Sequence, residues 1–184
     1  MRMDRKLKEL ILYIADKCKD DPSFGATKLN KILFLADMNY YALHGKSITG
    51  STYIHKPNGP VAKRMLPALH SLKKEKSATI LEDLYFGYVR KKVVPGRGPN
   101  MSLFTEEQIS LVTFLVEKTM GMTATEISRW SHTLNPWLLT CDGEEIPYHT
   151  VFSMYRLPVE EDGINWGKRE LKKIRVAAAK ASAA

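Results

Sequence analysis

Residues 24–60 read FGATKLNKILFLADMNYYALHGKSITGSTYIHKPNGP. Leu29, Ile32, Leu33, Ala36, Tyr40 and Leu43 recur at three- and four-residue spacing and form one apolar helical stripe. Phe34, Leu35, Met38 and Tyr41 fill most of the remaining circumference. A helix apolar nearly all round is one that other elements surround. It is too short to span a bilayer, and Lys28, Lys31 and Asp37 interrupt it. The stretch therefore predicts a buried central helix. Gly45 stops it, with His44 placed to meet the last carbonyls. The chain then turns through residues 47–50, extends over 52–56 and bends at Pro57-Asn58-Gly59-Pro60.

Working outward, Leu7, Leu10, Ile11, Ile14 and Cys18 mark an amphipathic helix over residues 4–19, ended by Asp20-Asp21-Pro22. Pro60 suits a first helical turn, and Val61, Met65, Leu69 and Leu72 mark a third helix. Pro67 within that run must begin a new turn or kink it. The helical period is lost over 78–103, where Leu84-Tyr85-Phe86-Gly87-Tyr88-Val89 and Val93-Val94 are β-prone and residues 95–100 read as a hairpin loop. One or two strands are expected there, paired with the extended piece near Tyr53.

Two helix starts follow. Thr105-Glu106-Glu107-Gln108 and Thr123-Ala124-Thr125-Glu126 are capping boxes, each flanked by staple residues (Phe104 with Ile109, Met122 with Ile127). The first helix turns Ile109, Val112, Leu115 and Val116 inward and ends at Gly121. The second does so with Ile127, Trp130 and Leu134 and ends before Pro136. A short helix over about 147–155 and a basic one over about 166–176 complete a mostly α, α+β fold: a compact helical domain around a buried central helix with a small β insertion.

At 184 residues, with 44% apolar and 26% charged side chains, the chain reads as one globular domain over residues 1–164 followed by a basic, alanine-rich tail over 165–184. The net charge of +8 sits mostly in that tail. Lys168, Arg169, Lys172, Lys173, Arg175 and Lys180 stand against Glu170 alone, giving residues 168–184 a charge of +5. The body is nearly balanced, which argues against nucleic acid as the main partner. Residues 1–8 are charged and precede no cleavage-type small residues, so a cytoplasmic rather than secreted protein is expected. Cys18 and Cys141 match no zinc or redox spacing and are expected to be reduced and packed.

Sites of chemistry are scarce. His44, His55, His70, His132 and His149 form no i, i+4 pair and no cysteine stands at ligand spacing, so no metal is expected. There is no phosphate-binding loop, dinucleotide fingerprint or nucleophile elbow. Gly96-Arg97-Gly98-Pro99 could meet a phosphate, but a loop explains it. Glu106-Glu107, Glu144-Glu145 and Glu160-Glu161 fall at helix starts or in polar turns, where they are solvated. No enzyme activity and no cofactor are expected.

Lys28-Leu29-Asn30-Lys31 opening an aliphatic-aromatic helix that runs through Ala36-Asp37 resembles the Panacea domain, the SocA-like antitoxin family. Gly45, Ile48-Thr49-Gly50, Tyr53 and Gly59-Pro60-Val61 continue the resemblance in order. Ser131-His132 with Pro136-Trp137, then Gly143 and Ile146, resemble its second signature. The resemblance covers residues 5–155. It implies a non-enzymatic antitoxin of a bacterial or phage toxin–antitoxin pair, which neutralises a protein toxin encoded beside it by direct binding. Two alternatives remain: an adaptor that delivers the toxin to a AAA+ protease, and a nucleic-acid-binding regulator using the tail. Ser182-Ala183-Ala184 resembles ends read by such proteases, although a plain alanine-rich terminus explains it equally.

Within the signatures, Lys28, Asn30, Lys31 and Asp37 are polar groups on an apolar helix and must be paired or face an opening. They are expected to form a polar network bordering the partner surface. Thr49 and Tyr53 belong to the same signature, and Gly45, Gly50, Gly59 and Pro60 set turn geometry. Trp137 is expected to fill the core beside Trp130, with His132 bonded to a backbone carbonyl near Asn135-Pro136; the alternative is that both line a partner-facing groove.

Overall fold

The long apolar helix read from the sequence is α2 (Ala26–His44), buried from Lys28 to Met38 and again at Tyr40. In this computed structural model, which describes residues 2–85 and 87–153 with positions 165, 168, 169 and 172, other elements wrap around it. Ile32, Leu33, Phe34, Ala36 and Met38 are all 0% exposed. Each large side chain among them contributes about 1.5–3 kcal/mol by leaving water. Gly45, at φ 65°, closes the helix in the left-handed region, its N–H donating to the Tyr41 carbonyl. Leu43, assigned to the apolar stripe, is exposed, and His44 pairs with Glu107 at 3.1 Å rather than with the last carbonyls. That partner, Glu107, stands in the first turn of α4 (Glu106–Thr119).

Preceding α2, α1 (Arg2–Lys17) packs Leu7, Leu10, Ile11 and Ile14 inward, and Cys18 just beyond it is also buried. Burial pushes the Cys18 thiol up to about 12. Cys141, by contrast, is exposed, so only one cysteine is packed. After α2 the chain makes β1 (Tyr53–Ile54) and β2 (Val61–Ala62). The third helix, α3, begins only at Met65 (Met65–Lys74), because Val61 and Ala62 pair with Ile54 and Tyr53 instead of coiling. Pro67 thereby falls in the first turn of α3, where its missing N–H costs nothing.

The β residues divide into two sheets. β3 (Ala78–Tyr85) and β4 (Tyr88–Pro95) pair only with each other, as an antiparallel hairpin that sets Ile80 opposite Val93. Gly87, at φ 82°, forms its turn, and residues 95–100 lead out of it. The expected pairing with Tyr53 goes elsewhere: β1 lies between β2 and β5 (Glu145–Ile146), with Tyr53 opposite both Ala62 and Ile146. Arg97 is taken up by a two-pronged pair with Glu9 at 2.6 and 2.8 Å, a structural tie and not a free anion contact.

Both capping boxes form as read. Thr105 caps α4, and Thr123 caps α5 (Ala124–His132). Val112, Leu115 and Val116 of α4 and Ile127 of α5 are buried, whereas Trp130 is 37% exposed. Pro136 lies in the first turn of a further short helix, α6 (Asn135–Leu138), and a 3-10 helix covers Tyr148–Ser153. The result is an α+β fold, mostly α. The chain divides into units 1–154 and 155–184. In the second, positions 165, 168, 169 and 172 are helical, and the rest of the expected basic helix lies outside the described residues.

Candidate functional site

Lys28, Asn30, Lys31 and Asp37 on α2 are each tied to a different segment. The Lys28 ammonium donates to Asp21 Oδ2 at 2.5 Å, Ser23 Oγ at 3.0 Å and the Met122 carbonyl at 2.7 Å. Both members of the Lys28–Asp21 pair are fully buried. Burial alone would raise the Asp21 carboxyl, but the hydrogen bonds from Lys28 and Ser23 outweigh it and hold the group below its ordinary value. The Asn30 amide donates to the Ala26 carbonyl at 2.8 Å, and its oxygen accepts the Ala62 N–H at 3.3 Å, fixing β2 to the helix.

Asp37, one face further along, holds the turn after α2. It accepts the Thr49 N–H at 2.8 Å, the Tyr53 hydroxyl at 2.8 Å and the Thr49 hydroxyl. Burial still pushes its carboxyl up, against those hydrogen bonds. Gly50 follows at φ 73°, its N–H donating to Ser47 Oγ at 3.0 Å. The Tyr53 ring meets Phe34 edge-on at 5.3 Å and Tyr148 at 6.3 Å, and the Tyr148 hydroxyl donates to the Ser51 carbonyl.

Lys31 is different. It is 1% exposed, and its ammonium donates to the Asn58 carbonyl; no carboxylate pairs with it among the described residues. Burial lowers its pKa from 10.5 to about 8. Gly59, at φ 95°, presses on it: a Cβ there would sit 2.6 Å from Lys31 Cε and 2.6 Å from Ser131 Oγ. Only glycine fits, and buried Pro60 then leads the chain into β2.

Ser131 brings in the second signature. The Trp137 indole lies between two imidazoles, His132 at 4.1 Å and 17° and His55 at 4.2 Å and 25°. Its Nε1–H donates to the Lys56 carbonyl at 3.4 Å, and His55 Nδ1 lies 3.1 Å from Thr140 Oγ1. Trp137 is half-buried. It does not fill the core beside Trp130, because the turn at Pro136 starts α6 at once and carries residue 137 over the end of β1. Nor does the structure give His132 a carbonyl partner: its Nε2 is buried and unpartnered among the described residues. Burial lowers its pKa, and Lys31 and His55 push the same way.

The two signatures thus meet at the 58–60 turn. Lys31, Gly59, Ser131, His132 and Trp137 come together there; Asp37, Thr49 and Tyr53 form a second cluster, Lys28 a third, and Asn30 bonds between helix and strand. The sequence model of the SocA-like antitoxin family, Panacea domain, matches residues 29–138, a span that holds the turn, the first signature from Leu29 onward and the second from Ser131 to Trp137. The chain belongs to this family. Neither the curated proteins nor the solved structures give a significant match. Panacea-domain antitoxins are generally non-enzymatic and act on a toxin partner. Among the described residues no helix is long and apolar enough to cross a membrane, and no cluster of three histidine, cysteine or acidic side chains is placed to hold a metal.

The sequence reading missed Asp21, Ser23, His55 and Tyr148. Asp21 looked like part of a helix stop, yet a buried lysine seven residues later needs a nearby acid. His55 shares the alternation of β1 with buried Tyr53, and that signal was available.

Proposed function

We propose that this Panacea-domain protein is a cytoplasmic antitoxin, bacterial or phage-borne, that neutralises a toxin encoded beside it by covering part of the toxin's surface. Family membership carries the proposal. The second signature adds a candidate surface: Trp130 on α5, Leu138 on α6 and Leu139 just after it are large apolar side chains left 37%, 57% and 64% exposed, near half-buried Trp137 in the sequence. Exposed apolar groups that gather in one patch mark interaction faces. The neutralising domain in this proposal is residues 1–164, with 165–184 as a tail. The signature residues have divided roles. Lys28, Asn30, Asp37, Thr49, Gly50, Tyr53, Gly59 and Pro60 hold the scaffold, while Lys31, His132 and Trp137 border the partner.

The test is a Leu138→Glu, Leu139→Glu double variant co-expressed with the neighbouring gene. Both side chains are largely in solvent, so the variant should fold, and it should lose both growth rescue and co-purification. Normal rescue moves the interface elsewhere. Delivery to a AAA+ protease rests on the Ala183-Ala184 end and predicts a toxin half-life that shortens when the protein is present. Regulation through nucleic acid rests on the basic tail and predicts steeply salt-dependent duplex binding.

A further inference from the structure

Beside the Trp137 stack lies a concavity of about 420 Å³. It is bounded by the first turn of α2, by Asn58 and by the α5 side chains Thr125, Ser128, Arg129 and His132. None of its lining residues is acidic. Glu126, the one carboxylate in the first turn of α5, is turned to the Thr123 N–H and hydroxyl at 2.7 and 2.8 Å. Arg129 is exposed and its guanidinium makes no hydrogen bond among the described residues, although it lies close enough to lower the Glu126 carboxyl electrostatically. Below the floor is Lys31. The Asn58 carbonyl accepts both its ammonium and the Ser128 hydroxyl, the latter at 3.2 Å. One neutral oxygen cannot compensate a buried unit charge, and such a charge is expensive without a counter-ion. The protein supplies a counter-ion for Lys28 but none among the described residues for Lys31.

We propose that this concavity is an oxyanion site: a carboxylate or phosphate group seated on the Arg129 guanidinium and the Thr125 hydroxyl, over the buried charge of Lys31. Arg129 provides a fork suited to two anion oxygens. Lys31 acts through its field from a buried position one layer behind Asn58. His132 forms a wall of the site, and its ring reports on occupancy. The site stands apart from the antitoxin reading, since free anions suffice to test it and no toxin is required.

The experiment follows the His132 ring resonances of the full chain by NMR during titration with sodium phosphate and, separately, sodium acetate. Sodium chloride at matched ionic strength is the reference. A saturable shift with phosphate alone, with acetate alone or with both supports the site and names its ligand as phosphate, carboxylate or either. Arg129→Gln, at an exposed position, should weaken that binding by about tenfold or more. Lys31→Met should abolish it while the protein melts at or above the parent temperature. If chloride reproduces the shifts, or if either folded variant binds like the parent, the proposal is overturned. Should Lys31→Met fail to fold, Arg129→Gln decides alone.

Discussion

Lys28 and Lys31 stand one turn apart on the same helix, each 1% exposed, yet they are served oppositely. Lys28 meets a carboxylate, a hydroxyl and a carbonyl, one acceptor for each of its three N–H donors. Lys31 meets a single carbonyl beneath a polar concavity. Burial alone therefore does not tell a structural cation from one held in reserve. The count of compensating partners does. At Lys28 the fold spends an ion pair to pin residues 21–23 and the α4–α5 junction. At Lys31 it tolerates an uncompensated charge at the place where both signatures meet.

The sharpest way to break this contrast is Lys28→Met. It strands Asp21 as a buried, unpaired carboxylate and should destabilise the protein by about 3–5 kcal/mol in denaturant unfolding. A loss below about 1 kcal/mol would mean that the pair is not the pin described here.

Trp137→Ala comes next. The half-buried indole loses two ring stacks but leaves no closed core cavity, so the cost should be about 1–3 kcal/mol, under that of a core tryptophan. A protein that melts like its parent and no longer binds its toxin would place Trp137 in the interface.

Lys31→Met should act in the other direction. Removing an uncompensated buried charge should stabilise the fold by up to about 3 kcal/mol at neutral pH, the ceiling set by the lowered pKa. Destabilisation would show that the Asn58 hydrogen bond outweighs the desolvation of the ammonium.

The same comparison predicts a rise of stability with pH in two separate windows, one acidic and one alkaline, as the smallest effect. Asp21 titrates below its ordinary value of 3.8 in the folded state, so the stability it contributes is present above that pH and fades as pH falls through the lowered folded value. Lys31 is lowered from 10.5 to about 8, so between those values the unfolded chain holds more protons and the Lys31 contribution becomes more favourable as pH rises. The stability gap between parent and Lys31→Met should narrow from about pH 8 towards 10.5. A constant gap would remove the burial penalty from the account.

How much of this was legible in the sequence follows from the range of the forces. The α2 stripe and both capping boxes depend on neighbours within four residues, and periodicity or cap chemistry exposes them. The two-residue strands do not. β1 takes its register from residues 61–62 and 145–146, and no local pattern announces partners that far apart. Trp130 followed the apolar spacing of α5 yet remains 37% exposed. The expectation that Lys28, Asn30, Lys31 and Asp37 are paired or border an opening was readable from their place on an apolar helix. Their division into separate clusters was not, since it depends on Asp21, Thr49, Asn58 and Ala62 arriving from four different segments.

The central claim is that the folded body, not the basic tail, neutralises a toxin. Its most direct measurement is co-expression of the neighbouring gene with either the full chain or residues 1–164, scoring growth, co-purification and antitoxin abundance together. The account predicts that the shortened protein still rescues growth and still co-purifies, with association less sensitive to salt because the net charge of +5 carried by residues 168–184 is lost. If it is folded and abundant but the cells die, the tail is the neutralising element, and the two signatures serve only to build its scaffold.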